Sequence, residues 1–284
     1  MLDTATSLRS LSDTPESYRD PVGQVNWEQL DTERDWLPES ALSLYGLPEY
    51  ETIPPEVKLR LSQYEFISAM QCVRWLDGMF FQHVSRRFHV GLWNHESAQA
   101  LRMVREKAGH SLMVLKMIEA SDLPVPAGAW APPRLVDLIA RNAPVSDILF
   151  WLSALIAGDV PDRFNRCLRK YGTRLHPVIR QICTLHVTDQ AQHFNFACSQ
   201  LDLLLETRRF LDVELFGAIG KTLIQQISGA LYFPPSRFYE LAGLSSGASW
   251  RRLAHKNPER HRFIEECLAP THSVLKHYQR STWA

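Results

Sequence analysis

The sequence predicts an all-α protein: a helical bundle with an irregular N-terminal wrap and extra helices at its C-terminal end. Three observations carry that expectation. Apolar residues recur at helical spacing through successive long segments, and no sustained strand-like alternation occurs in the 284 residues. Residues 122–133 hold four prolines, cannot form a helix interior, and so split the pattern into two halves. One frame of acid, variable residue, Ala, variable residue, His occurs twice, as Glu106-Lys107-Ala108-Gly109-His110 and as Asp189-Gln190-Ala191-Gln192-His193.

Residues 1–24 are rich in Ser, Thr and Asp without an apolar period, which predicts a mobile arm. Residues 25–55 mix Trp27, Trp36, Leu37, Leu44, Tyr45 and Tyr50 with prolines, the composition of an irregular wrap over a helical body. Pro54-Pro55-Glu56 opens the first long helix, which should run to about His89. Asn94 can cap a second helix, periodic over residues 97–118 and ending near Ser121. The proline-rich stretch then serves as a long crossover.

A third helix is expected over residues 144–169, kinked or broken at Gly158-Asp159-Val160-Pro161. A fourth starts at His176-Pro177 and reaches about Arg208, and a fifth covers residues 211–231. These complete a bundle domain over residues 25–235. Residues 236–284 read as an extension of two short helices, around 236–244 and 258–278, packed on the bundle.

Lys plus Arg equals Asp plus Glu, at 31 each, so no overall field recruits nucleic acid or a membrane surface. The longest apolar stretch, residues 148–158, is about half of the ~20 residues that span a bilayer. Five cysteines form no C-x-x-C pair, and the chain's start lacks the basic and apolar parts of a secretory signal. A cytoplasmic protein with reduced thiols is expected. No Walker-type loop, G-x-G-x-x-G or G-x-S-x-G motif supports nucleotide binding or a hydrolase triad.

On a helix His186, Gln190 and His193 stand at i, i+4 and i+7, along one face, and two imidazoles so placed can grip one metal. The repeated frame suggests two helices of one bundle site. In carboxylate-bridged ferritin-like bundles each such helix supplies a Glu three residues before its His. Here Lys107 and Gln190 stand in those slots.

The chain resembles the ferritin-like di-iron N-oxygenases of the para-aminobenzoate N-oxygenase type. The resemblance rests on Tyr45-Gly46-Leu47-Pro48-Glu49-Tyr50, on the Glu106 to His110 frame, and on His176-Pro177-Val178-Ile179-Arg180 leading into His186-Val187-Thr188-Asp189-Gln190-Ala191-Gln192-His193. It implies oxidation of a small amine or amino-acid-derived substrate with dioxygen and an electron donor, at a centre of four Glu and three His. All three His positions are kept, as His110, His186 and His193. Lys107 and Gln190 replace two Glu. The third-helix Glu falls at Gly158 or Asp159, with Asp159 preferred for its spacing of 27 to His186, and the first-helix Glu falls at Gln71 or Asp77.

Two divalent ions need about four carboxylates nearby, because uncompensated buried charge costs several kcal/mol per ion. An ammonium at Lys107 takes the place of one metal and repels the other, and it can pair with Asp77 or Asp159. A full di-iron centre is therefore disfavoured, and at most one Fe(II) is expected. His186, His193 and Asp159 would bind it as two His and one carboxylate, with His110 on the open side. Glu106, Asp189 and Asp77 would orient these groups. Lys107, His110 and Gln190 are the candidate catalytic residues.

The same residues also admit plainer roles. His186, Gln190 and His193 can form a metal-free buried polar network satisfied by Asp189, Asp159 or Lys107, and a rotated second helix would turn Lys107 outward and Glu106 inward. Such a chain would be a non-catalytic pseudo-oxygenase, a binding or partner module, or a metal-free redox protein using Tyr64 or Tyr171. His83, His89, His95, His255, His261, His272 and His277 share no ligand spacing, and Arg86-Arg87, Arg208-Arg209 and Arg251-Arg252 read as solvated faces. Trp75, Phe80, Phe81, Phe150, Trp151 and Phe233 can line a pocket or simply pack. The expected partners are a small amine substrate and an electron donor, with no nucleic acid or membrane, and a homodimer is the usual assembly.

Overall fold

The computed structural model describes residues 18–88, 95–134, 137, 138, 141, 147–206 and 211–281. Among them there is no strand. Eight helices carry the fold: α1 (Pro55–Phe88), α2 (His95–Ser121), α3 (Asp147–Arg169), α4 (Pro177–Leu205), α5 (Leu211–Tyr232), α6 (Ser236–Leu241), α7 (Gly247–Lys256) and α8 (Pro258–Ser281). The hairpin α1–α2 packs on the hairpin α3–α4, through α1 against α3 and α2 against α4. The prolines of residues 122–133 cross between the hairpins. This is the all-α, ferritin-like arrangement that the sequence predicts.

α4 shows why the bundle forms. Pro177 at its first position has no backbone N–H to satisfy, and His176 caps the helix by accepting from the Val178 N–H through Nδ1 at 3.2 Å. Ile179, Ile182, Cys183, His186, His193, Ala197 and Leu201 form one buried stripe, so the two histidines share the face that packs. Each fully buried Ile or Leu on it contributes about 1.5–3 kcal/mol. α3 continues through Pro161, so the break that the sequence allowed there does not occur. A proline inside a helix costs about 3 kcal/mol. The burial of Val160, Phe164 and Leu168 around it, against α4, α5 and α8, offsets that cost.

The N-terminal expectation changes too. Residues 18–24 are no loose arm: Pro21–Gln24 forms a 3-10 turn, capped where Asp20 accepts from the Val22 N–H at 3.0 Å, and it packs on α2. Residues 1–17, Asn94, residues 144–146, His89, Arg208 and Arg209 lie outside the described residues. In the C-terminal extension, three helices replace the two that the sequence predicts. The missed one, α7, begins at Gly247, where any Cβ would lie 2.1 Å from the Ser236 carbonyl oxygen. α8 is long and reaches back to α3 and α5.

A buried polar network joins this extension to the wrap. Arg260 of α8 donates to the carbonyls of Ala41 (2.6 Å) and Tyr232, and its guanidinium lies 3.7 Å from Glu65 of α1. Glu65 also accepts from the Ser43 N–H at 2.9 Å, and Asn257 donates to the carbonyls of Ser43 and Tyr45. Burial pushes the Glu65 carboxyl above its ordinary range, against the pull of Arg260 and Ser43. All five cysteines are free thiols. No helix among the described residues is long and apolar enough to cross a membrane.

Candidate functional site

α1, α2, α3 and α4 bring most of the expected residues together at the bundle centre. Lys107 points inward and donates from Nζ to Asp77 Oδ1 at 3.0 Å, and both side chains are buried. Of the two partners that the sequence left open for Lys107, the structure uses Asp77. Gln71 accepts from Arg74. The ammonium lies 5.7 Å from the Phe80 ring centre, and Phe80 stacks on Phe150 at 5.9 Å.

The two repeated frames are joined crosswise. His110 Nε2–H donates to Asp189 Oδ2 at 2.8 Å, and His193 Nε2–H donates to Glu106 Oε2 at 2.5 Å. Each helix's acid therefore holds the other helix's histidine. A carboxylate that takes the Nε2 proton leaves Nδ1 as a lone pair. His193 Nδ1 is buried and has no partner among the described residues, and the same is true of His186 Nε2. Leaving such a group unsatisfied costs about 1–3 kcal/mol.

His110 and His186 lie ring against ring, with centroids 4.2 Å apart. Burial, reinforced by His110 and Lys107, holds the His186 imidazole well below its ordinary pKa. Burial also lowers that of His193, with Lys107 adding to the shift and the Glu106 hydrogen bond opposing it. Both rings are therefore neutral acceptors at pH 7.

Asp159 does not join them. Its carboxylate accepts from Thr271 Oγ1 of α8 at 2.6 Å and pairs with Arg163 at 3.0 Å. Asp159, preferred over Gly158 from the sequence, is thus engaged outside the histidine cluster. Neighbouring helical residues project about 100° apart, and it is Gly158 that faces α4, where an added Cβ would lie 2.1 Å from Gln190 Nε2. The Gln190 amide fills the space that a third-helix side chain would take. Among the described residues no three His, Cys, Asp or Glu side chains gather as a metal group.

These residues do not fit the four-Glu, three-His centre that the resemblance implies. Where the resemblance expects carboxylates stand the Lys107 ammonium and the Gln190 amide, which fills the space beside Gly158, and Asp77 is already neutralised by Lys107. What the arrangement can do is present two neutral imidazole lone pairs beside a fixed cation.

One participant escaped the sequence reading. Tyr18 lies over α2, with its ring 4.5 Å from the Arg105 guanidinium and its hydroxyl against Gly109, where an added Cβ would lie 2.3 Å away. A single Tyr in a polar segment gives no periodic signal. Tyr64 donates to the Pro124 carbonyl and Tyr171 accepts from Ser40. Phe233 lies elsewhere, stacked on His255.

The family described as p-aminobenzoate N-oxygenase AurF matches residues 3–279. An uncharacterized protein of Mycobacterium bovis is 22% identical over 242 residues, which cover 78% of this chain and 66% of the relative. An uncharacterized protein of Mycobacterium tuberculosis is 23% identical, with the same 78% and 66% coverage. The chain thus spans 66%, just under two thirds, of the length of these curated relatives.

Proposed function

The chain belongs to the p-aminobenzoate N-oxygenase AurF family, and from that membership we propose an N-oxygenase-like protein whose centre has given up the two-iron arrangement. The buried contact from Lys107 Nζ to Asp77 Oδ1 carries this reading. A lysine–aspartate pair is a cation already neutralised in place, and a second iron there would face the ammonium with no free carboxylate to balance it.

At most one Fe(II) can then be held, through His186 Nε2 and His193 Nδ1. Both nitrogens are buried acceptors in want of a partner. Glu106 keeps His193 in the tautomer that a metal requires, and Asp189 does the same for His110 beside it. In this reading the protein is a cytoplasmic oxidoreductase that takes a small amine or amino-acid-derived substrate, dioxygen and an external electron donor. A homodimer is the assembly expected of it.

The engagement of Asp159 by Thr271 and Arg163 favours a second reading, a pseudo-oxygenase that keeps the fold as a metal-free binding module. Iron analysis after anaerobic Fe(II) loading separates them. One iron per chain, lost in His186→Ala and His193→Ala, is the expected result for the oxidoreductase. No iron at all selects the binding module, and two irons per chain overturn both.

A further inference from the structure

Cys167 lies near the C-terminal end of α3 and Cys267 in the middle of α8, two helices that pack on each other. Helical periodicity aligns them. Asp159, Arg163 and Cys167 stand four residues apart along one face of α3, and Phe263, Cys267 and Thr271 do the same on α8. The hydrogen bond from Thr271 Oγ1 to Asp159 Oδ2, at 2.6 Å, turns those two faces toward each other. About one turn before each cysteine stand Phe164 and Phe263. Buried Tyr232 of α5 lies between them, its ring centroid 5.5 Å from that of Phe164 and 6.2 Å from that of Phe263. In this three-helix seam the Cys267 S–H donates to Cys167 Sγ. Both are free thiols, Cys267 buried and Cys167 half-buried.

Their surroundings give the two sulfurs different roles. The hydrogen bond from Cys267, with the positive charges of Lys170 and Arg163, holds the Cys167 thiol below its ordinary pKa against burial and Glu266. The same hydrogen bond, then burial, pushes the Cys267 thiol up. Burial also raises Cys72, Cys183 and Cys198. The thiolate is the attacking form of a cysteine, and nearby cations with partial exposure favour it. Of the five cysteines only Cys167 combines these conditions, and its hydrogen-bond partner is a second thiol.

We propose that Cys167 and Cys267 are a peroxide-oxidised thiol pair that closes a reversible disulfide between α3 and α8. The Cys167 thiolate attacks one oxygen of hydrogen peroxide, the O–O bond breaks, and the leaving hydroxide takes a proton from solvent to depart as water. Cys167 is then a sulfenic acid. The Cys267 sulfur attacks the Cys167 sulfur, the S–O bond breaks, and the hydroxyl leaves with the Cys267 proton as a second water. Two thiols lose two electrons in all, and one peroxide is reduced to two waters. The bond ties the C-terminal extension to the bundle. It also closes the loop of residues 167–267, and the constraint that a disulfide puts on the unfolded chain grows with loop length. The pair depends on neither reading of the histidine centre.

Non-reducing peptide mapping of the full chain after treatment with hydrogen peroxide tests it. The expected product is one Cys167–Cys267 disulfide within each chain, reversed by dithiothreitol, with Cys72, Cys183 and Cys198 still open to alkylation once the chain is unfolded. The oxidised chain should unfold at a higher urea concentration than the reduced chain, and Cys267→Ala should lose that dithiothreitol-sensitive shift. In Cys267→Ala, dimedone should trap a sulfenic acid at Cys167, whereas Cys167→Ala should leave Cys267 unmodified. Before any oxidant is added, iodoacetamide should modify Cys167 of the natural chain at least about tenfold faster than Cys183, a measurement that needs no variant. Disulfides that join other cysteines or separate chains, oxidation of Cys167 to a sulfinic acid without a disulfide, equal alkylation of Cys167 and Cys183, or a urea midpoint that the disulfide leaves unchanged would overturn the proposal.

Discussion

Lys107 Nζ stands 3.0 Å from Asp77 Oδ1 across the interface of α1 and α2, so the bundle centre holds an ion pair of its own where the family's pattern calls for metal-binding carboxylates. The pair is desolvated, and its worth depends on both partners staying.

Removing one partner strands the other. Lys107→Met should destabilise the fold by about 3–5 kcal/mol, because Asp77 stays buried without its cation. The double variant Lys107→Met, Asp77→Leu should recover most of that loss, since apolar groups of similar volume need no counter-charge. Urea unfolding of the four members of the cycle measures the coupling. Strict additivity would mean that the two side chains do not depend on each other.

Gly158 and Gln190 should be coupled in a similar way. Alanine in place of an interior helical glycine gains up to about 1 kcal/mol, but here a Cβ runs into the Gln190 amide. Gly158→Ala should therefore gain more stability in a Gln190→Ala background than in the natural chain, by at least about 0.5 kcal/mol. An equal gain in both backgrounds would show that Gln190 leaves this space without cost.

The depressed His186 imidazole sets a pH dependence. Unfolded, it titrates near 6.5; folded, burial followed by His110 and Lys107 keep it neutral well below that value. Under about pH 6.5 the unfolded chain binds a proton that the folded chain does not, so stability is full above this pH and falls as pH drops. The slope from this group is at most about 1.4 kcal/mol per pH unit, and His193 adds to it with the same sign. Urea midpoints of chelator-treated protein should decline from about pH 7 to about pH 5.5, and His186→Gln should flatten the decline. A variant with the natural slope would remove His186 as its source.

Asp159 should prove structural. Asp159→Ala strands Arg163 and Thr271 between α3 and α8, and a loss of about 3 kcal/mol is expected for breaking a buried pair. Its iron content after loading should match that of the natural chain. Iron lost in Asp159→Ala with the helix content retained would return this carboxylate to the ligand set.

The helices were largely legible because the 3.6-residue period and the punctuation by proline are local. α1 runs from Pro55 to Phe88 against an expected 55–89, and α4 begins at the expected Pro177. α7 was missed: it is short, and its start depends on the close approach of Gly247 to the Ser236 carbonyl, a contact between separate turns.

By itself the sequence determined the helical class, the order of the four bundle helices, and the presence of Lys107 and Gln190 three residues before His110 and His193, since residue identity and local periodicity suffice for these. Only the tertiary structure decided that Lys107 pairs with Asp77, that Glu106 and Asp189 hold each other's histidines, and that Gly158 faces Gln190 while Asp159 turns to Thr271. A step of one residue turns a side chain about 100° around its helix, so which of two adjacent residues enters the centre depends on how the helices pack, and spacing along the chain cannot fix that rotation.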